Sequence, residues 1–381
     1  MKLLPLAVGF VLAASAFQSA AASKPDLPST VSWTAFAAGT SGYNQAVALG
    51  NVMREDIGTA MRVVPGETDV ARLVPVRQGR IDFAASGAGS YFAQEGVLDF
   101  ARPDLGPQNL RLVAMNMADA HMGVVTRGDS GVRTLRDLRG KRVAYVAGTP
   151  SLNTIMKATL AYADLTWDDV ERVEVPGFKA AMDGILQGRI DGAILTAASG
   201  FATQIEATSG GIHWPQYPQD DDAAWKRLHS VAPFLVKHTG TSGAGVDPNG
   251  SEGLGQPLPL LASYADKDED LVYNMTKALF HYYDQYKDAA PGAEGWALER
   301  QVFDWGMPFH PGAIRYYKEA GVWTDDLDEM NADLISRQEI IQQAWSAFRS
   351  GSDSSGDDFE RRWLAARAKA LEDAGREPVW R

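Results

Sequence analysis

The chain has 381 residues, of which 45% are hydrophobic and 22% are charged. This composition is typical of a globular protein and does not fit a fibrous or disordered chain. The formal net charge of −12 argues against a nucleic-acid partner, and the length allows two domains with an appendage.

Residues 1–22 have the pattern of a secretory signal peptide. Lys2 supplies a basic start, an apolar run covers residues 3–17, and the small residues at 20–22 suit cleavage. An uncleaved anchor is the alternative, but the run is shorter than the roughly 20 residues that a membrane-spanning helix needs. The chain has no cysteine, so it has no disulfide and no attachment point for a lipid anchor. These features predict an unanchored protein of the periplasm.

A first α/β unit follows a short polar segment. Strands are predicted over residues 31–37, 61–64 and 81–85, and helices over residues 44–56 and 68–78. This alternation indicates a parallel sheet with right-handed crossovers.

A second unit repeats the same order of elements. Its predicted strands cover residues 110–117, 122–126, 142–146, 170–175 and 190–195, and its predicted helices cover residues 134–138, 152–163 and 180–187.

The rest of the chain contains no third unit. Residues 206–256 are poor in regular pattern, a strand over 258–262 is predicted to return to the first lobe, and helical spacing begins at Asp268. Residues 325–374 then form two predicted helices joined by a polar linker over 350–358.

Two pairs of matching segments share one offset. Gln-Gly-Arg-Ile-Asp occupies residues 78–82 and 187–191, and Ala-Gly-Thr-x-x-x-Asn begins at Ala38 and again at Ala147, so that 187 − 78 and 147 − 38 both equal 109. This period is too long for a solenoid, whose repeats have about 20–50 residues. It predicts two similar lobes that face each other across a cleft.

The turn between the first strand and the first helix is the strongest candidate for a binding site. It contains Gly39, Thr40, Ser41, Gly42 and Tyr43. Glycines let the backbone approach a ligand, hydroxyl groups donate hydrogen bonds, and the free N–H groups of a helix N-terminus attract an anion such as a carboxylate. An ordinary turn with a Ser or Thr helix cap is the alternative.

Equivalent positions in the second unit favour a paired site. Thr149 and Ser151 repeat the Gly-Thr turn, and Asn153 matches Asn44. For the two asparagines, ligand binding and local capping are equally open.

The ends of two strands supply further candidates. Ser86 and Gly87 follow the last strand of the first unit, and Thr196 has the corresponding position in the second. In open α/β sheets, ligands bind beyond the carboxyl ends of the strands.

A second carboxylate on the ligand would need a cation. Arg102, Arg127 and Lys179 are candidates because each lies near a predicted loop or strand end. A solvated surface base is the alternative for each of them.

Motifs for other chemistries are absent from the sequence. It has no P-loop, no dinucleotide fingerprint, no histidine cluster with metal-ligand spacing and no Gly-x-Ser-x-Gly elbow. The sequence therefore predicts a protein without cofactor, metal or catalytic residues.

Several segments resemble the solute-binding receptors of tripartite ATP-independent periplasmic (TRAP) transporters, of the TAXI type. They are residues 38–42, 78–84, 135–143, 270–280 and 311–317. Part of the third segment, Asp-Leu-Arg-Gly-Lys-Arg-Val, is shared with many periplasmic binding proteins, but the ordered set is more specific. The resemblance covers roughly residues 31–323.

The resemblance implies two α/β lobes that close on a ligand and deliver it to a membrane permease driven by an ion gradient. Known solutes of this type are glutamate, 2-oxoglutarate and C4-dicarboxylates. The chain departs from the family where the ligand is expected. Asn44 and Gln45 follow Tyr43 in place of a Tyr-Tyr-Pro-like segment, and residues 149–153 replace a Gly-Ser-Gly-Thr-Glu-like run.

The expected fold is an α/β, two-lobed periplasmic binding protein fold (type II-like) with a helical C-terminal extension. The predicted bounds are 1–22 for the signal peptide, 23–119 for lobe I, 120–238 for lobe II, 239–324 for the return to lobe I with hinge helices, and 325–381 for the extension. The expected function is capture of a small organic acid (a dicarboxylate, 2-oxoglutarate or a glutamate-like solute) for the permease subunits of a TRAP transporter. A sensor-associated binding protein and a periplasmic enzyme on the same scaffold are the alternatives.

Overall fold

The computed structural model describes residues 23–351 and 358–379. The predicted signal peptide and residues 352–357 of the predicted linker lie outside the described residues. Strands β1 to β12 are, in chain order, Thr30–Ala35, Ala60–Pro65, Phe83–Ser86, Leu110–Met115, Met122–Arg127, Arg142–Val146, Glu171–Val175, Ala193–Thr196, Ile212–His213, Val236–Gly240, Ser251–Gly255 and Leu260–Tyr264. Helices α1 to α12 are Ser41–Ile57, Asp69–Arg77, Gly89–Glu95, Pro150–Tyr162, Phe178–Leu186, Gly200–Glu206, Asp222–His229, Glu269–His281, Tyr283–Tyr286, Pro311–Glu319, Asp325–Ser350 and Phe359–Asp373.

Lobe I is built on a five-stranded sheet in the order β2-β1-β3-β12-β4. Strand β1 pairs in parallel with β2 and with β3. Strand β12 runs antiparallel to both of its neighbours, β3 and β4. The carboxyl ends of β1 and β3 therefore meet at one edge of the sheet, where the loops that follow them lie side by side.

Lobe II is built on a second sheet in the order β10-β11-β5-β8. The parallel pair β6 and β7 lies next to β8, to which it is joined by a parallel bridge between Val143 and Gly192. Strand β5 runs antiparallel to β8, as β12 does to β3 in lobe I. The two-lobed α/β fold that the sequence predicts is confirmed.

Two segments connect the lobes: residues 116–121, between β4 and β5, and residues 256–259, between β11 and β12. The second crossing differs from the predicted boundary after residue 238. Residues 239–255 do not return to lobe I, because β10 and β11 form an antiparallel hairpin whose inner strand pairs with β5 in lobe II.

The segment over 206–256 contains more regular structure than its sequence predicts. It includes β9, α7, β10 and β11. Glycines weaken the strand pattern of this segment in the sequence. At two of these positions, close packing leaves no space for a Cβ atom. A Cβ atom on Gly253 would lie 2.5 Å from the His121 ring, and one on Gly255 would lie 2.9 Å from Cβ of His238. The glycines therefore allow side chains to pack against the hairpin backbone.

The sequence repeat corresponds to a structural repeat with the same offset. Helix α1 begins at Ser41 and α4 at Pro150, and 150 − 41 is 109. Helices α2 and α5 match at both ends, since 178 − 69 and 186 − 77 are also 109.

The duplicated Gln-Gly-Arg-Ile-Asp motif has a structural role in each lobe. Its glycines, Gly79 and Gly188, both have φ near +67° and follow the C-caps of α2 and α5. The isoleucine that comes two residues later is buried in both copies. The aspartate then accepts a backbone N–H from the neighbouring strand: Asp82 from Ser32 at 2.9 Å, and Asp191 from Arg142 at 3.0 Å. The motif ends a helix and begins a strand.

Each lobe has its own apolar core. The core of lobe I joins the sheet to α8 and α10, with Trp33, Phe83 and Tyr317 fully buried. This packing places the chain after β12 in lobe I. Lobe II is filled by two clusters on either side of its sheet.

The C-terminal helices α11 and α12 pack on lobe I. Glu95, at the end of α3, is fully buried and forms ion pairs with Arg337 of α11 and Arg367 of α12. Trp363 donates a hydrogen bond from Nε1 to the carbonyl of Gly96 at 2.6 Å. The predicted helical extension is confirmed, and a buried ionic cluster attaches it to α3.

Candidate functional site

A cavity lies between the lobes and encloses about 710 Å³, including the space at its mouth. Its walls come from the β1–α1 loop, from the start of α2, from α4 and β8 of lobe II, and from the second crossing segment. The cavity has the position of a small-molecule site, in a cleft between two lobes.

The predicted turn of lobe I forms one wall of this cavity. Thr40, Ser41 and Gly42 line it. Gly42 packs so closely that a Cβ atom there would lie 2.6 Å from the Phe36 ring. The Thr40 hydroxyl donates to the carbonyl of Ala37 at 2.8 Å and accepts the N–H of Tyr43 at 3.3 Å. Its hydrogen-bonding capacity is therefore largely used for capping α1.

The other predicted residues of this turn lie to the side of the cavity. Gly39 is in the left-handed region, with φ of 91°, and its carbonyl faces lobe II. Tyr43 is half-buried against the lobe I core, and Asn44 is half-buried on α1. Neither Tyr43 nor Asn44 belongs to the cavity lining.

The predicted turn of lobe II forms the opposite wall. Thr149 and Ser151 line the cavity at the start of α4. Asn153 points back to its own lobe, where its amide accepts the N–H of Val146 and donates to the carbonyl of Val146, both at 2.9 Å. Asn153 thus joins α4 to the end of β6, and neither of these two bonds caps the helix.

Of the three candidates at the strand ends, two line the cavity and one has a structural role. Gly87 and Thr196 line the cavity. Ser86 is buried and hydrogen-bonded to the hydroxyl of Ser90, so its side chain stabilises the β3–α3 loop.

Arg72 is a lining residue that sequence reasoning missed. It lies on α2, is 3% exposed, and pairs with Asp69 one turn earlier. One amino group donates to the carbonyl of Gly66 at 2.9 Å, and the guanidinium lies 4.4 Å from the centre of the Phe36 ring. Burial lowers the pKa of the guanidinium and the Asp69 carboxylate opposes that shift, but an arginine remains a cation in proteins.

The sequence contained a signal for Arg72. Asp69, Arg72 and Val76 have i, i+3, i+7 spacing, which places them on one face of α2, and all three are buried. An acid and a base on the apolar face of a helix indicate a buried ion pair, and such pairs are costly unless they are well partnered.

Three residues that line the cavity each have a buried polar atom without a hydrogen-bond partner within residues 23–351 and 358–379. These atoms are Nε of Arg72, Oγ1 of Thr149 and Oε1 of Gln256. They come from lobe I, lobe II and the second crossing segment, respectively. Because unpartnered buried polar groups are rare and costly, they indicate where a ligand would make hydrogen bonds.

Direct contacts join the lobes around the cavity. Asp69 Oδ2 accepts the N–H of Ser151 at 3.0 Å, at the N-terminus of α4. Glu67 Oε2 accepts the N–H of Lys179 at 3.2 Å, at the N-terminus of α5. The carbonyl of Gly39 accepts the N–H of Gly200 at 3.1 Å, at the start of α6. These contacts hold the lobes in a closed arrangement.

The three cations proposed from sequence lie outside the cavity. Arg102 pairs with Asp104, Arg127 pairs with Asp129, and Lys179 pairs with Asp183 one turn along α5. None of the three lines the cavity. The buried cation at the site is Arg72 instead.

A family model described as the NMT1-like family matches residues 34–321, which is more than half of the chain. The chain belongs to the NMT1-like family.

Solved structures that resemble this NMT1-like chain include the periplasmic aliphatic sulphonate-binding protein SsuA of Escherichia coli, with 14% identity, coverage of 92% of this chain and 89% of that one, and a TM-score of 0.43. The MOPS-bound alkanesulfonate-binding protein SsuA of Xanthomonas axonopodis has 13% identity, coverage of 85% and 94%, and a TM-score of 0.44. An ancestral arginine-binding protein bound to arginine has 14% identity, coverage of 71% and 99%, and a TM-score of 0.43.

The described residues of the NMT1-like chain contain neither a metal-binding cluster nor a membrane-spanning helix. No group of three or more His, Asp or Glu side chains that could hold a metal ion occurs in the part of the chain that the structure describes. No helix in that part is long and apolar enough to cross a membrane.

Proposed function

We propose that this chain is a periplasmic substrate-binding protein that captures a small organic acid between its lobes and delivers it to a TRAP-type secondary transporter. The observation that carries this proposal is the interlobe cavity. Lobe I, lobe II and the second crossing segment each contribute to its lining one residue that carries an unpartnered buried polar atom. A solute bound there would contact all three parts and would stabilise the closed arrangement.

The lining of the cavity favours binding over catalysis. Its hydroxyl groups belong to Thr40, Ser41, Thr149, Ser151, Thr196 and Ser199. Among the described residues that line it, no histidine or lysine is present to activate these hydroxyls. The one lining carboxylate, Glu67, accepts a backbone N–H from the opposite lobe.

The proposed partner and location rest on the sequence. The resemblance to TAXI-type receptors supports permease subunits of a TRAP transporter as the partner. The pattern of residues 1–22 supports export through a cleaved signal peptide, without a lipid anchor.

A thermal-shift screen over organic acids and amino acids tests the proposal. A solute present at 100 times its Kd should stabilise the fold by roughly 2.7 kcal/mol. Ser41→Ala and Ser151→Ala each remove a cavity hydroxyl and should reduce the shift. Thr203→Val, which alters an exposed threonine on α6, should leave it unchanged. If no acid or amino acid shifts the melting temperature of the wild-type protein, the proposed function is wrong.

A further inference from the structure

We infer that the cavity selects an amphipathic monocarboxylate with one hydrogen-bond donor near the acid group, rather than a dicarboxylate. This inference rests on the proposed function, which it narrows to a class of solute.

The unpartnered atoms define the polar end of the solute. Arg72 Nε is a donor, and the Thr149 hydroxyl can also donate, so both suit the oxygens of a carboxylate. Gln256 Oε1 is an acceptor and needs a donor from the solute. Its amide nitrogen lies 3.9 Å from the sulfur of Met122. A 2-hydroxy acid provides both kinds of group at one end of a small molecule.

The charges at the cavity leave room for one carboxylate at most. Arg72 is the one cation among the described lining residues, and Asp69 already pairs with it. Glu67 adds a negative charge to the lining. A second carboxylate on the solute would therefore be desolvated without a cation to pair with and would lie near a like charge.

The remaining walls are apolar and fit a hydrocarbon group. They are formed by Phe36, Met122, Leu152, Ile155, Phe178 and Leu258. These side chains come from both lobes and from the second crossing segment. Burial of an aliphatic or aromatic group against them would favour binding, because it removes apolar surface from water.

A matched pair of acids tests this selection. 2-Hydroxy-4-methylpentanoate and 2-hydroxyglutarate share the 2-hydroxy acid end and differ in an isobutyl group against a carboxyethyl group. Titration calorimetry should give at least about tenfold tighter binding for 2-hydroxy-4-methylpentanoate, because an unpaired buried charge costs more than the roughly 1.4 kcal/mol that corresponds to a factor of ten.

Three variants test which residues are responsible for this selection. Glu67→Gln removes the lining carboxylate and should reduce the difference in affinity between the two acids. Gln256→Met removes the acceptor and should abolish the preference for 2-hydroxy-4-methylpentanoate over 4-methylpentanoate, which lacks the hydroxyl. Thr149→Val should weaken whichever acid binds in the cavity.

The outcomes separate the inference from the proposed function. If 2-hydroxyglutarate binds as tightly as 2-hydroxy-4-methylpentanoate, or more tightly, and Thr149→Val weakens it, the inference is overturned and the proposed function stands. If neither probe binds but another acid gives a thermal shift, the inference is also overturned. If no acid binds at all, the proposed function itself fails.

Discussion

At the scale of single residues, the candidate site combines side chains that local sequence reveals with others that it hides. Thr40, Thr149 and Ser151 were predicted from the duplicated Gly-Thr turn, and all three line the cavity. Arg72 and Gln256 were missed. Arg72 lies within a predicted helix and Gln256 within a segment of weak pattern, so neither stands beside a turn motif. Their position at the cavity depends on how the lobes pack, which a local pattern does not encode.

Thr149→Val should weaken solute binding without harming the fold. The Thr149 hydroxyl is buried and lacks a partner within the described chain, so its removal leaves the unliganded protein as stable or slightly more stable. A hydrogen bond to a charged group is worth about 1.5–3 kcal/mol, so affinity should fall about ten- to a hundredfold. Calorimetry and thermal melts measure the two effects.

Thr159→Val is the matched control for that variant. Thr159 is also buried, but its hydroxyl is hydrogen-bonded to Tyr217 at 2.9 Å inside lobe II. Thr159→Val should lower the melting temperature and leave the affinity for the solute unchanged. If Thr149→Val instead melts earlier and binds like wild type, the hydroxyl has a structural role.

His310 should make stability depend on pH below neutrality. Its Nδ1 accepts the N–H of Gly312 at 3.1 Å as the cap of α10, and its Nε2 donates to the carbonyl of Lys267 at 3.1 Å. Burial is the main cause that lowers its pKa from 6.5 to about 4. The neutral ring is favoured by folding, so its contribution is complete above pH 6.5 and is lost as pH falls towards 4. A shift of this size corresponds to about 3 kcal/mol.

His310→Asn tests that dependence. Asparagine is a good helix cap and does not titrate in this range. Denaturant unfolding of the variant should show a shallower loss of free energy between pH 6.5 and 4 than the wild type does. Equal slopes for the two proteins would show that His310 is not held neutral by the fold. His121, whose pKa burial also lowers to about 4, should contribute to the remaining slope.

At the scale of elements, the repeat in the sequence predicted the two α/β units, but it did not predict how their helix N-termini are used. The start of α4 was expected to hold a solute carboxylate. In the structure, its Ser151 N–H donates to Asp69 of lobe I, and α5 receives Glu67 in the same way. Acids at these positions complement the helix dipole across the cleft. The anion at this helix end in the structure is a side chain of the protein, and binding of a solute carboxylate there stays a prediction.

The attachment of the C-terminal extension should depend on Glu95. Its carboxylate is fully buried between Arg337 and Arg367. Burial alone would raise its pKa, but the hydrogen bonds and charges of the two arginines lower it overall. Glu95→Gln leaves two buried cations without their acid, and breaking a buried ion pair costs about 3–5 kcal/mol. Denaturant unfolding should show a loss of this size.

Asp333→Asn is the control for the extension. Asp333 pairs with Arg376 between the same two C-terminal segments, but its side chain is exposed. An exposed pair is worth about 0–1 kcal/mol, so this change should have little effect. A small effect of Glu95→Gln would mean that apolar contacts, such as those of Trp363, hold the extension in place.

At the scale of the whole molecule, the two-lobed plan could be predicted because the offset of 109 residues repeats whole α/β units. The position of the second crossing between the lobes could not be predicted. The strands of the hairpin over β10 and β11 contain glycines where His121 and His238 pack, so they lack the alternation by which strands are recognised. The cavity itself depends on the closed packing of both lobes, and this packing is the central element of the proposed mechanism.

A cross-link between the lobes tests that mechanism most directly. A Cβ atom on Gly148 would lie 3.5 Å from Cβ of Thr68 across the cleft, within the range of a disulfide. The chain has no cysteine of its own, so Thr68→Cys/Gly148→Cys can form only this cross-link within one molecule. The strain of replacing Gly148, whose φ is 70°, is present in both redox states and in the Gly148→Cys single variant.

The decisive measurement is calorimetric binding of 2-hydroxy-4-methylpentanoate to the double variant before and after oxidation. With the disulfide reduced, it should bind like the Gly148→Cys single variant. With the disulfide formed in the empty protein, binding should be lost, because the lobes can no longer open to admit the acid; reduction should restore it. Equal affinity in the oxidised and reduced states would contradict solute capture between the lobes.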